Sequence, residues 1–268
     1  VTEQARVLGM LRSSGVLDGI AWAHRSAYQQ VRQDYNPAGG HKQSWIGYNA
    51  YIYLLDRLDR VFQCGDFAAQ PGEESVGRDV LADGIAGRDF QSLPLLPAGT
   101  VVRHDLNGSP GWAVDGWRWL LASYKFGQVR KIRWPEKSDT KQTVARQPHS
   151  EDDGGLFPVT AIPGLPPLEG LPDDERDLRK TLVLAHAMDP VTVDFELFFG
   201  RIRWNSDRGD AWVWRENLLD LPPGPQKSGT RPQQVDPILP PAGDAADADV
   251  RVRRSARGDG GPRAIGDA

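Results

Sequence analysis

Beyond Leu221 the composition changes so sharply that only about the first 220 residues of this 268-residue chain can build a core. Residues 221–268 are dominated by Pro, Gly, Ala, Asp and Arg and hold no cluster of aromatic or aliphatic side chains. Such a segment cannot bury enough apolar surface to offset an ordering entropy of ~1–2 kcal/mol per residue. A disordered tail is expected there. The length that remains suits one core or two abutting ones.

Within that region the N-terminal part carries helical spacing. Tyr48, Tyr51, Ile52, Leu55, Leu58 and Phe62 recur at intervals of three and four, which lines one face of a helix, with Gly65 as its stop. Ile20, Ala23, Ala27, Tyr28, Val31 and Tyr35 form a second stripe, with Asp18 placed to cap it and Asn36-Pro37 to end it. A third, shorter helix is expected over Ala5 to Arg12, closed by Ser13-Ser14-Gly15. One or two short helices are expected between Val76 and Phe90.

From Thr100 the pattern turns toward strands. Thr181 to Ala185 is a continuous apolar run of the buried-strand type. Phe195 to Trp204 and Ala211 to Trp214 come after it, separated by turn-rich residues, and the order reads as an antiparallel meander. Trp212 and Trp214, two apart on one strand, are expected to share a face and pack together. The stretch after Trp112 is ambiguous. Asp115-Gly116 is a hairpin signal, whereas Trp117, Leu120, Leu121 and Tyr124 have helical spacing, and the balance is taken as a helix from Trp117 to Phe126. Residues 147–177, rich in Pro, Gly and acid, form a loop region.

These patterns predict an α+β protein: an N-terminal helical layer over residues 1–95, a Trp-rich, mainly antiparallel β region packed with it over residues 96–220, and a disordered C-terminal tail over residues 221–268. A single cysteine, Cys64, rules out an intramolecular disulfide framework and any cysteine-cluster zinc site. No apolar stretch reaches the ~18 residues of a membrane helix and the first residues lack the order of a signal peptide, so no membrane partner and a cytoplasmic location are expected. There is no phosphate-binding loop and no G-x-G-x-x-G, so no cofactor is assigned. The five histidines (His24, His41, His104, His149 and His186) show no metal-ligand spacing.

The formal net charge of −4 does not mark a nucleic-acid binder, but its distribution is uneven. Between Trp112 and Arg146 lie Arg118, Lys125, Arg130, Lys131, Arg133, Lys137, Lys141 and Arg146, against only Asp115, Glu136 and Asp139. Trp112, Trp117, Trp119, Tyr124, Phe126 and Trp134 are interleaved with them. Cations attract phosphate oxygens and flat rings stack on unpaired bases, so such a surface suits a nucleic acid or an acidic protein. Lys125, Arg130, Lys131, Arg133, Trp134, Lys137 and Lys141 are the candidate contact residues. The competing reading is a tryptophan-rich core segment whose cationic side chains cover apolar surface with their stems.

Two further functions compete with that binding role. Asp115 with Asp139-Thr140-Lys141 resembles the PD-(D/E)xK nuclease site, in which two acids hold a divalent ion and the lysine assists the attacking water. His104-Asp105 resembles the ligand pair of HD-type phosphohydrolases, but those set the pair on a helix and this one comes after a β-branched run. A structural partner protein is the third reading, and large exposed apolar patches would be its sign.

Overall fold

A computed structural model describes residues 1–69, 73, 75–147 and 178–222. The expected tail beyond residue 222 and the acidic loop at 148–177 lie outside the described residues.

Three long helices form the first layer: α1 (Glu3–Ser13), α2 (Val16–Asp34) and α3 (Gln43–Phe62). Thr2 caps α1 by accepting from the Ala5 N–H at 3.3 Å. Gly15, at φ +78°, turns the chain from α1 into α2, so Asp18 lies inside the first turn of α2 instead of capping it. There its charge still complements the positive end of the helix. Gln63, with φ +49°, ends α3 two residues before the expected Gly65. Two short helices come next, α4 (Arg78–Ala82) and α5 (Gly87–Gln91), within the range anticipated from sequence.

Six strands make one sheet in chain order: β1 (Val102–Arg103), β2 (Gly111–Val114), β3 (Trp117–Ser123), β4 (Thr181–Met188), β5 (Phe195–Ile202) and β6 (Trp212–Asn217). Every neighbouring pair is antiparallel except β3 and β4, which run parallel from Arg118↔Thr181 to Ser123↔His186. A parallel pair requires a crossover. The crossover's described part holds two 3-10 turns (Val129–Lys131 and Trp134–Glu136) and helix α6 (Asp139–Ala145).

The helix expected over Trp117 to Phe126 is therefore corrected to a strand. Asp115 and Gly116 both adopt positive φ, +48° and +72°, the two-residue turn that suits a hairpin's twist. Helical spacing misled because β3 is covered on both sides. Trp119 and Leu121 face the helices, while Leu120 and Ala122 face the crossover, leaving an unbroken apolar run.

The sheet thus separates two apolar clusters. On one face Trp119 meets Phe62 of α3, Trp112 and Phe199 at ring separations of 6.0, 6.5 and 6.2 Å. On the other, Leu120, Val183, Ala185 and Ile202 pack against Val129, Ile132, Trp134 and Val144 of the crossover. Trp212 and Trp214 fall on opposite sides, which corrects their expected pairing. Arg201 pairs with Trp214 but Ile202 pairs with Trp212, so Val213 is an extra residue. A one-residue bulge switches the side chains on either side of it to opposite faces. Trp212 accordingly packs on Trp134 at 5.7 Å, while Trp214 donates to Glu3 of α1 at 2.7 Å.

Candidate nucleic-acid interface

The crossover after β3 is held down by its apolar residues and so turns its charges outward. Trp134 donates its indole N–H to the Ala211 carbonyl at 2.7 Å, and its amide N–H donates to Asn205 Oδ1 at 3.2 Å. Asn205 Nδ2 in turn donates to the Ile132 carbonyl at 2.8 Å, and Trp212 Nε1 to that of Val129 at 2.8 Å. With positions 129, 132 and 134 fixed inward, Arg130, Lys131 and Arg133 point away from the core.

Four of the seven sequence candidates converge. Lys125, Lys131, Arg133 and Lys137, with Tyr124, Gln128, Ile132 and Glu136, line a groove of about 340 Å³. It presents four cations against one lining carboxylate. Arg133 lies 3.2 Å from that carboxylate, Glu136, while Lys125 and Lys131 are exposed. Lys137 donates from Nζ to the Ser123 carbonyl at 2.8 Å, which ties the groove to the end of β3. Burial lowers its pKa. Lys141, on α6, is also lowered, by burial first and then by the charge of Lys137.

The remaining candidates sit elsewhere. Arg130 is outside the groove lining and faces Asp210 at 4.0 Å with most of its side chain exposed. Trp134 is fully buried, so its ring is a core element and is removed from the contact set. The same holds for Trp112 and Trp119, each at 0% exposure. Basic residues and indoles alternate along this sequence, and the sheet's two covered faces draw Trp112, Trp119 and Trp134 inward, with Arg118 buried beside them, while Lys125, Arg130 and Lys131 stay exposed.

The aromatic ring that does reach the groove is Tyr124. Its hydroxyl donates to Glu196 Oε2 at 2.9 Å, and the Gly127 N–H donates to the same oxygen at 2.9 Å. Burial, then the Glu196 charge, raises its pKa, so it remains a phenol. The ring is fixed at one edge, is half-buried against the crossover cluster, and lines the groove with Lys125.

The nuclease constellation does not assemble. Asp115 sits in the hairpin before β3, whereas Lys137, two residues before Asp139, is bound to the far end of that strand. At ~3.3 Å per residue, seven residues of β3 separate the two ends by roughly 20 Å. Among the described residues no group of three or more His, Cys, Asp or Glu is placed to hold a metal ion. His104 and Asp105 are likewise diverted: Asp105 accepts from Arg103 at 2.6 Å and from the Gly111 N–H at 3.1 Å.

One buried polar group beside the groove escaped the sequence reading. His186, on β4, is 1% exposed, and its Nδ1 lies 2.8 Å from the Tyr28 hydroxyl of α2. Burial, then the charges of Lys137 and Lys141, pushes its pKa down to about 3, so the ring is neutral. Its place as the one ionisable residue in the run TLVLAHAM was the available signal. Its partner stands 158 positions away.

Comparison with protein-family models, with curated proteins and with solved structures finds no match. Among the described residues no helix is long and apolar enough to cross a membrane.

Proposed function

We propose that this protein is a binding module for an acidic macromolecule, single-stranded nucleic acid being the class its groove fits best. The observation that supports this is the convergence of Lys125, Lys131, Arg133 and Lys137 around Tyr124 on one concave surface. Cations spaced along a groove track a phosphate backbone, and an accessible ring face accepts an unpaired base. Single strands suit this arrangement because their bases are free to stack.

The test is fluorescence anisotropy with labelled single-stranded oligonucleotides, comparing the native chain with a Lys131→Glu/Arg133→Glu variant. Reversing two groove charges is expected to weaken binding by at least about tenfold. A variant that binds as well as the native chain would remove the groove from the interaction. Binding of polyglutamate in preference to the oligonucleotides would move the partner class to acidic protein.

A further inference from the structure

Arg146 closes the basic stretch that begins at Trp112, but it does not line the groove. It directly follows α6 and is exposed. Three arginines lie between Gln128 and Gln147, and their neighbours differ. Arg130 and Arg133 each face a carboxylate, Asp210 at 4.0 Å and Glu136 at 3.2 Å, whereas Arg146 faces a ring and has no carboxylate partner among the described residues.

Two contacts fix its guanidinium. Cζ lies 3.9 Å from the centroid of the Trp204 ring, and Nη2 donates to Gln142 Oε1 at 3.2 Å. A cation over an indole is attracted by the negative face of the ring. The indole is itself anchored: the Trp204 amide N–H donates to the Ala145 carbonyl at 2.8 Å, and the side chain is half-buried against the crossover cluster. The ring covers one side of the guanidinium, and the exposure of Arg146 leaves the other side to solvent.

The pair is joined to the groove at two points. Gln142, which accepts from Arg146, donates from Nε2 to the carbonyl of the groove residue Lys137 at 2.9 Å. One amide thus spans the distance from the groove wall to the guanidinium. Asn205, next in the chain to Trp204, bonds to Ile132 and to Trp134, the neighbours on either side of the groove residue Arg133. Trp204 is therefore held beside the end of the groove that Arg133 and Lys137 form.

We propose that Arg146, backed by Trp204, is a nucleobase-stacking platform that takes the base next beyond the groove. An arginine plane stacks on an unpaired base as an aromatic ring does, and one already held by a ring and an amide loses little further freedom on binding. Lys125 and Lys131 carry charge without a plane, so they follow phosphates; Arg146 adds a contact that responds to bases. The proposal rests on the groove reading, because the groove delivers the strand.

The test uses calorimetric titration of the full chain with two polyanions, oligodeoxythymidylate and inorganic polyphosphate, the second having charge but no bases. Arg146→Lys keeps the charge and removes the stacking plane at an exposed position. This variant is expected to bind oligodeoxythymidylate at least about fivefold more weakly than the native chain, with the same salt dependence, and to bind polyphosphate equally well. An undiminished affinity for oligodeoxythymidylate, or an equal loss on both polyanions, overturns the platform and leaves the groove reading standing. Failure of the native chain to bind oligodeoxythymidylate sinks the groove reading, and the platform with it.

Discussion

Trp112 donates its indole N–H to the buried carboxylate of Asp59 at 2.9 Å, joining β2 to the last turn of α3. The second oxygen of Asp59 accepts from Arg103 Nη1 at 2.5 Å. One carboxylate, 2% exposed, thus serves two strands. Replacing Asp59 with alanine leaves a buried indole N–H without its acceptor and a partly buried guanidinium with Asp105 as its remaining carboxylate. The expected loss is about 3–5 kcal/mol of stability, read from urea unfolding. Asp59→Asn, which keeps one acceptor oxygen, is expected to lose less, and strand binding by the molecules that remain folded is expected to be unchanged.

Acid is expected to destabilise the fold through its buried histidines. His24 and His186 are both held below the ordinary imidazole range, chiefly by burial, with His186 at about 3. Below a pH of about 6.5 the unfolded chain takes up protons that the folded chain refuses, so stability is complete above that value and falls as pH drops toward 3. Each histidine contributes a slope of up to about 1.4 kcal/mol per pH unit. Urea midpoints at pH 7, 6 and 5 measure this, and His186→Gln is expected to make the dependence shallower. An unchanged slope in that variant would mean that His186 is protonated in the folded protein.

Two aromatic substitutions separate core from interface. Trp134→Phe removes the donor to the Ala211 carbonyl and is expected to cost about 1–3 kcal/mol of stability while leaving strand affinity intact. Tyr124→Leu is expected to do the reverse at the groove, weakening affinity by about 1–3 kcal/mol, the worth of one stacked base. Thermal unfolding and anisotropy on the same samples distinguish the two effects.

Deleting Val213 removes the bulge between β5 and β6. Trp212 and Trp214 would then no longer fall on the faces they now occupy, so one of them would leave its packed site against Trp134 or Glu3. A loss of about 3–5 kcal/mol is expected, of the size caused by truncating a large buried ring. Thermal melts with tryptophan fluorescence check it.

Legibility in the sequence depended on how local each determinant is. Helices α1 to α3 and strand β4 were readable because a local pattern of apolar spacing fixes each of them. The hairpin at Asp115-Gly116 was visible but outweighed, because a strand covered on both faces carries no alternation to oppose a helical count. The bulge at Val213 was hidden, since it depends on pairing with Arg201 and Ile202. At the groove, the cations were legible and the burial of Trp134 was not, because its acceptor on Ala211 and its neighbour Trp212 come from the far end of the chain. His186 acquires its meaning only when α2 brings Tyr28 to it.

The most direct measurement is the salt dependence of strand binding by the native chain and by a Lys125→Ala/Lys131→Ala variant. Both lysines are exposed, so their loss leaves the fold in place. Each phosphate contact on a single strand contributes about 0.7 to the slope of log affinity against log salt concentration. The native chain is expected to show a steep negative slope and the variant one shallower by about 1.4. Affinity that ignores salt, or a slope that survives loss of both lysines, would contradict a phosphate-tracking groove.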